Sequence, residues 1–181
     1  MTAALLLSLA STAQVKMRDV LRTMPESLVP YLTENNRLDM IDFHEANMQA
    51  EVKNLLEGKS ELLSLSDAFA AFALNEAHRM EIRLLDVTEP IDSCQQILCV
   101  VDTYGTDVRE STVCFFSLSW QELPTNKFVK LPKAMFTAAL DEQQPTLTIT
   151  LSDYPERPAM EEQKVAQNLP INLKWSNDFF K

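Results

Sequence analysis

QQILCVVDTYG, Gln95–Gly105, is followed after a short connection by ESTVCFFSLSW, Glu110–Trp120. The first segment is apolar at consecutive positions, which is typical of a strand covered on both faces. A glycine between two such segments favours a tight turn, because glycine adopts the backbone conformations that turns require. The two segments therefore predict a hairpin at the centre of an antiparallel sheet.

Further strands are predicted on both sides of this hairpin. Each candidate is a short segment rich in apolar residues, and several alternate apolar and polar side chains with a period of two. They are Glu61–Ser66, a long strand at Phe72–Leu85, a short one at Phe128–Leu131, Thr146–Ser152 and Ile171–Ser176. Between the last two, residues 153–170 contain an acidic cluster of Glu156, Glu161 and Glu162, and we expect a surface loop there.

Helices are predicted only near the N-terminus. Lys16–Met24 reads as a short helix that ends before a proline. Arg37–Glu57 has apolar residues at intervals of mostly three, four and seven, which predicts a long amphipathic helix. Asn35 or Asn36 would cap its start and Gly58 would follow its end. The expected fold class is α+β, with N-terminal helices packed on an antiparallel β-sheet of about six strands.

The first thirteen residues are interpreted separately from the fold. Met1–Ala13 carries no charge, and small residues at Ser11 and Ala13 precede Gln14 as at a signal-peptide cleavage site. The prediction is a signal peptide remnant at residues 1–13 and a single α+β domain at residues 14–181. The protein would then be exported, either periplasmic or secreted, with no membrane span because the apolar segment is too short. The alternative is an amphipathic first helix.

Composition excludes several classes of function. The chain of 181 residues has 2 Gly, 2 His and 3 Cys, and a net charge of −10. Glycine-rich phosphate loops, three-histidine zinc sites and four-cysteine zinc sites need more of these residues than the chain has. The negative charge argues against a nucleic-acid partner, since phosphate binding needs clustered Lys and Arg. No cofactor is predicted.

Glu76 and His78 are the candidate binding residues. In the predicted strand Phe72–Leu85 they share a face that is otherwise apolar. A carboxylate beside an imidazole can orient its tautomer, as a general base requires. The alternatives are a satisfied buried ion pair, or a stretch where that face reaches solvent. No nucleophile stands at a motif spacing, so no catalytic residue is assigned.

Asp39, Asp42, His44 and Glu45 crowd the start of the predicted long helix. The helix dipole favours acidic side chains at that position, and this explanation is sufficient. Asp42 and Glu45 are spaced as an i, i+3 pair, but His44 points elsewhere. We therefore predict no metal site.

The cysteines are predicted to be free thiols. Cys94 and Cys99 lie on one extended segment, about 16 Å apart, which is too far for a disulfide. If Tyr104 pairs with Arg109, Cys99 lies opposite Cys114, and if Tyr104 pairs with Asp107 the two are diagonal. Either register places them on one face, where buried thiols and a disulfide are the alternatives.

Four aromatic residues near the C-terminal parts of the sheet have two interpretations. They are Trp120, Trp175, Phe179 and Phe180. They could line a ligand groove, but the alternation around Trp120 and Trp175 favours a place in the core.

One resemblance extends over the mature chain. KMRDVLRTMPESLVPYLTENNRLDMIDF (Lys16–Phe43), DSCQQILCVVDTYG and ESTVCFFSLSW resemble an uncharacterised family of exported Bacteroidales proteins, a domain of unknown function. The most distinctive runs are Met24-Pro25, Asn36–Asp39 and the Cys94 segment. The resemblance implies an envelope or secreted location, and it carries no known activity, cofactor or catalytic residue.

The expected function is a non-enzymatic binding or interaction module of the cell envelope, with an unknown ligand or envelope protein as partner. One alternative is a carrier that holds an apolar ligand in a cavity between sheet and helices. Another is a small enzyme that uses Glu76 and His78.

Overall fold

The structure is a computed structural model that describes residues 14–152 and 169–181. The predicted signal peptide, Met1–Ala13, and the acidic cluster of Glu156, Glu161 and Glu162 lie outside the described residues. Within the described part, two α-helices and eleven β-strands form three layers. The middle layer is a large sheet, with the helices on one face and a small sheet on the other.

Both sheets are antiparallel. The large sheet has seven strands, and each one pairs with the next along the chain. They are β1 (Glu51–Lys53), β2 (Lys59–Leu65), β3 (Phe69–Asn75), β4 (His78–Ile91), β5 (Cys94–Tyr104), β6 (Glu110–Phe116) and β7 (Glu122–Leu123). The small sheet has the order β11-β10-β9-β8. Its strands are β8 (Phe136–Leu140), β9 (Thr146–Leu151), β10 (Ile171–Ser176) and β11 (Phe179–Phe180).

Apolar clusters fill both faces of the large sheet. Helices α1 (Met17–Arg22) and α2 (Glu34–Glu45) bury side chains such as Met17 and Met40 against Phe72 of β3. On the other face, the small sheet and the segment before it pack against Phe115 of β6. Burial of these side chains is the main stabilising contribution, because each removes a large apolar area from water.

Strand β5 is covered on both faces, as its sequence predicts. Leu98 and Val100 face the helices, whereas Ile97, Cys99 and Val101 face the small sheet. The predicted strands at 61–66, 146–152 and 171–176 also form, and so does the predicted first helix. The strand predicted at Phe128–Leu131 does not form: after a 3-10 turn at Thr125–Lys127, this segment makes a single bridge, between Val129 and Phe180.

The predicted fold class is correct in part. The sheet is antiparallel and the N-terminal helices pack on it, but the protein is richer in β-structure than expected. Strand β8 has the sequence FTAAL, which alternates weakly and gave no strand prediction. β8 is the edge strand of the small sheet, and the sequence alone did not show that this sheet is separate from the large one.

The second helix is shorter than predicted and starts earlier. Thr33 is the N-cap, and its side chain accepts the Asn36 N–H at 3.1 Å. The helix ends at Glu45 because Asn47 adopts a left-handed conformation, with φ of 54°. The N–H of Met48 then donates to the Phe43 carbonyl, as in a Schellman motif. The prediction of a helix to Glu57 is therefore wrong.

The apolar residues after this helix belong to a hairpin. Val52 lies in β1, and residues 54–58 turn the chain into β2. The Asn54 side chain accepts the N–H groups of Leu56 and Gly58, at 3.0 and 3.1 Å. Gly58 thus closes a strand turn, and its predicted place after a helix is wrong.

The predicted strand Phe72–Leu85 is two strands. A turn at Glu76–Ala77 separates β3 from β4, and the Asn75 side chain accepts the Ala77 N–H at 2.8 Å. The alternation of apolar residues continues through the turn, because both strands direct the apolar side chains at even-numbered positions toward the helices. Periodicity therefore could not reveal the break, although asparagine is a typical turn residue.

Candidate functional site

His78 lies at the start of β4, directly after the turn, and faces the helical layer. It pairs in register with Tyr104, and Met80 pairs with Asp102, so these two residues of β5 flank the imidazole. The His78 Nε2 atom is 2.7 Å from Asp102 Oδ1. The Tyr104 ring stacks on the imidazole, with centroids 4.3 Å apart and an interplanar angle of 24°. His78 is 8% exposed, so this geometry is held in a nearly dry environment.

The third partner of His78 comes from the helical layer. Tyr31 lies in the segment between α1 and α2, just after Pro30, and its hydroxyl is hydrogen-bonded to His78 Nδ1. The backbone carbonyl of Tyr31 accepts the Leu55 N–H at 2.9 Å. Tyr31 therefore joins the β1–β2 turn to the start of β4.

Electrostatics determines the direction of these hydrogen bonds. Burial raises the pKa of Tyr31 to about 12, and negative charge at Tyr104 and Asp102 acts in the same direction. The phenol therefore keeps its proton at neutral pH and donates it to His78 Nδ1. The proton of the neutral imidazole then lies on Nε2, which donates to the Asp102 carboxylate. The pKa of Tyr104 is raised as well, chiefly by burial.

Glu76 lies in an exposed turn, although the sequence suggested a place beside His78. Both imidazole nitrogens bind other groups, Tyr31 on one side and Asp102 on the other. The predicted Glu76–His78 pair is therefore replaced by a Tyr31–His78–Asp102 chain. Asp102 stands in the quoted sequence just before Gly105, but only the strand register could connect it with His78.

The acidic group of α2 has a structural role. Asp42, His44 and Glu45 lie in the second half of the helix, with Glu45 at its end, so the predicted interaction with the positive end of the dipole is wrong. Arg18 of α1 contacts Glu45 at 3.0 Å, and Arg22 lies 3.9 Å from Asp42. Asp39 is also exposed on this helix. In the described part of the chain, no three such side chains converge as metal ligands.

The cysteines lie on different faces of the hairpin. Tyr104 pairs with Glu110, a register that places Cys99 opposite Phe115 and Val100 opposite Cys114. The expectation that Cys99 and Cys114 share a face is therefore wrong. All three cysteines are free, and burial raises the pKa of both Cys99 and Cys114.

The candidate groove aromatics do not form one groove. Trp175 and Phe180 meet edge to face at 5.0 Å and pack against Phe115, between the sheets. Trp120 lies on the opposite side of the large sheet, where its Nε1 donates to Thr23 Oγ1 at 3.2 Å. Phe179 lies in β11 and is half-buried. Trp120 and Trp175, for which the sequence favours a place in the core, are both partly buried and each packs against one of the two apolar clusters.

The end of the large sheet that holds the Tyr31–His78–Asp102 chain also carries exposed apolar side chains. In an antiparallel meander, alternate turns lie at the same end of the sheet, so the turns at 54–58, 76–77 and 105–109 share one end. The N–H of Gly105 donates to the Ala77 carbonyl at 2.8 Å and joins two of these turns. We call this region the hairpin end. Its apolar residues and their exposed fractions are Leu55 (62%), Leu56 (63%), Val108 (57%) and Tyr104 (48%).

None of the helices in residues 14–152 and 169–181 is long and apolar enough to cross a membrane. No curated protein matches the chain. A solved structure of a domain of an uncharacterized protein from Porphyromonas gingivalis W83 is similar, with 20% sequence identity and a TM-score of 0.74. The similarity covers 92% of this chain and 97% of that one, and at this identity it shows the fold alone. The family described as a protein of unknown function, DUF3256, matches residues 8–146. This match spans more than half of the sequence, and the chain therefore belongs to the DUF3256 family.

Proposed function

We propose that the protein is an exported binding module of the cell envelope, and that its ligand or partner protein contacts the hairpin end. The observation that carries this proposal is the exposure of four large apolar side chains at one end of the large sheet. Leu55 and Leu56 lie in the β1–β2 turn and are both more than half exposed, while Tyr104 and Val108 lie at the β5–β6 turn of the same end. Exposed apolar side chains concentrated at one end of a folded domain are typical of interaction sites.

The hairpin end is also held in a fixed conformation. Tyr31 binds the Leu55 backbone on one side and His78 on the other, and His78 stacks on Tyr104. A surface that is ordered before binding loses less conformational entropy when the partner arrives. The hydrogen-bonded chain beneath the exposed apolar residues thus supports a binding role for the hairpin end.

Location in the envelope rests on the sequence. The uncharged segment Met1–Ala13, with small residues before Gln14, is the basis for export. N-terminal sequencing of the protein from fractionated cells tests export. A chain that starts at Gln14 in the envelope fraction supports it, and an intact Met1 in the cytosol contradicts it.

A pair of charge substitutions tests the binding surface. Leu55→Asp and Leu56→Asp should abolish capture of the partner by the immobilised protein from an envelope extract, because each places a charge in the apolar contact. Met48→Asp is the matched control, since Met48 is 60% exposed but precedes β1, away from its turn. Equal capture by all variants would contradict a role for the hairpin end.

The carrier alternative is less well supported. Its expected cavity lies between helices and sheet, where Met17, Met40 and Phe72 pack with at most 2% exposure. A groove of about 540 Å³ lies elsewhere, at the β4–β5 turn, and Val87 and Leu118 line it. If an apolar ligand binds in this groove instead, Leu118→Asp should abolish that binding. The same variant should leave partner capture unchanged if the hairpin end is the binding surface.

A further inference from the structure

A carboxylate, an imidazole and a phenol are linked by hydrogen bonds in one line at the hairpin end. The Asp102 carboxylate accepts the Nε2 proton of His78 at 2.7 Å, and Nδ1 of the same ring accepts the proton of the Tyr31 hydroxyl. The two strands that hold His78 and Asp102 are paired and rigid, with His78 8% exposed. Each group therefore has a fixed place in the line.

This order of groups is that of an activated hydroxyl nucleophile. A hydroxyl reacts with an acyl carbon only when a base removes its proton, and an imidazole oriented by a carboxylate is an effective base. The phenol of Tyr31 is un-ionised at neutral pH, since burial raises its pKa to about 12. Reaction at its oxygen therefore depends on proton transfer to His78, whose imidazolium form the Asp102 carboxylate stabilises.

We infer that Tyr31 is an acyl-accepting nucleophile activated by His78 and Asp102, with activated carboxylic esters that carry a short apolar acyl group as its substrate class. Tyr31 is only half-buried, so its side chain is not sealed from solvent. Tyr104 lies near the Tyr31 hydroxyl, because its ring stacks on the imidazole that the hydroxyl contacts, and this ring offers an apolar surface for the acyl group. This inference concerns the surface assigned to binding, but it rests on the hydrogen-bonded line alone.

The proposed step balances without an oxidant or a cofactor. The Tyr31 oxygen forms a bond to the ester carbonyl carbon while its proton moves to His78 Nδ1. The bond between that carbon and the leaving oxygen then breaks, and the proton passes from Nδ1 to the leaving group. The products are an acyl ester on Tyr31 and a free alcohol or phenol, and water can later hydrolyse the aryl ester.

The experiment uses p-nitrophenyl butyrate as probe. Release of nitrophenolate gives the rate, and peptide mapping by mass spectrometry locates the butyryl group. We expect the label on Tyr31 and none in Tyr31→Phe, which keeps the ring in place. His78→Gln should lower the rate about 100-fold, within the range that general base catalysis contributes. Asp102→Asn should lower it by at least about tenfold, because the imidazole loses its orienting carboxylate.

Matched variants separate activation from general reactivity. His44→Gln removes the other histidine and Asp39→Asn removes an exposed carboxylate of α2, and both should react like the wild type. The pH profile of the wild-type rate should differ from that of folded His78→Gln, because only the wild type has a general base at this position. Circular dichroism checks that each variant is folded.

Two results would overturn the inference. One is the absence of label on Tyr31 in the wild type, and the other is an unchanged rate in folded His78→Gln. Partner capture by the same wild-type preparation is measured in parallel. If the wild type captures its partner but Tyr31 is not acylated, the reactive tyrosine is refuted and the binding proposal stands. Loss of capture in Leu56→Asp with acylation intact supports both assignments.

Discussion

Arg37 offers the sharpest test of how the helical layer is held. Its side chain is 4% exposed, and no carboxylate pairs with it in the described part of the chain. Nη1 donates to the Leu32 carbonyl at 3.2 Å and Nη2 to the Met24 carbonyl at 2.8 Å. These carbonyls lie near both ends of the segment that joins α1 to α2, so Arg37 fixes that segment, Tyr31 included, on the sheet.

The magnitude follows from two opposing contributions. Hydrogen bonds from a charged donor contribute about 1.5–3 kcal/mol each, so the two bonds together represent about 3–6 kcal/mol. Desolvation of the guanidinium and the unpartnered Nε–H subtract from this sum. Arg37→Met keeps most of the aliphatic volume but leaves both carbonyls without this donor. We expect a net loss of about 2–4 kcal/mol, a large part of the 5–15 kcal/mol that stabilises a typical domain.

Urea denaturation followed by circular dichroism measures this loss. Arg22→Met is the matched control, because the Arg22 side chain is 47% exposed and lies 3.9 Å from an exposed carboxylate, Asp42. Exposed pairs of this kind contribute at most about 1 kcal/mol. If Arg37→Met and Arg22→Met unfold at the same urea concentration, the two carbonyl contacts do not stabilise the helical layer and the reasoning is refuted.

Three further predictions follow from backbone geometry and from buried titratable groups. Gly105→Ala should destabilise the protein by about 1–3 kcal/mol, because the φ angle of Gly105 is +103° and a Cβ there would lie 2.0 Å from the Val108 carbonyl oxygen. In the same denaturation assay, Gly58→Ala should change the stability by less than about 1 kcal/mol. Because the pKa of Tyr31 rises from 10.0 to about 12 on folding, the stability that its protonated hydroxyl contributes is present below pH 10 and is lost as the pH rises toward 12. The urea midpoints of wild type and Tyr31→Phe should therefore converge over that range. A constant difference between the two midpoints at all pH values would contradict this. Cys99 is fully buried with a raised pKa, so iodoacetamide should modify it only after unfolding, and peptide mapping of the native protein that finds it labelled would oppose this prediction.

Local patterns predicted much of the sheet but misplaced its breaks. Consecutive apolar residues in β5 identified a strand covered on both faces, because burial on two sides leaves no polar face. The second helix and the strand Phe72–Leu85 were both predicted too long, since Asn47 and Asn75 end them through local hydrogen bonds that leave the apolar spacing intact. Asparagine at such positions was the available signal.

The sequence identified one residue of the candidate site and missed its partners. His78 stood out as a polar residue on an apolar face, and it lies at the centre of the Tyr31–His78–Asp102 chain. Its partners could not be found from spacing. Asp102 meets His78 only through the pairing of β4 with β5, and Tyr31 only through the packing of the helical layer on the sheet.

The sequence by itself determined the antiparallel hairpins and the two-faced central strand, because strand periodicity and turn residues act over a few neighbouring positions. The tertiary structure decided which side chains meet. It separated Cys99 from Cys114 through a register that differs from both expected ones, and it joined Tyr31, His78 and Asp102 from three separate segments. Such contacts depend on strand register and on the packing of the layers. A change of register by one residue moves every side chain of a strand to the other face, and no local sequence pattern specifies the register.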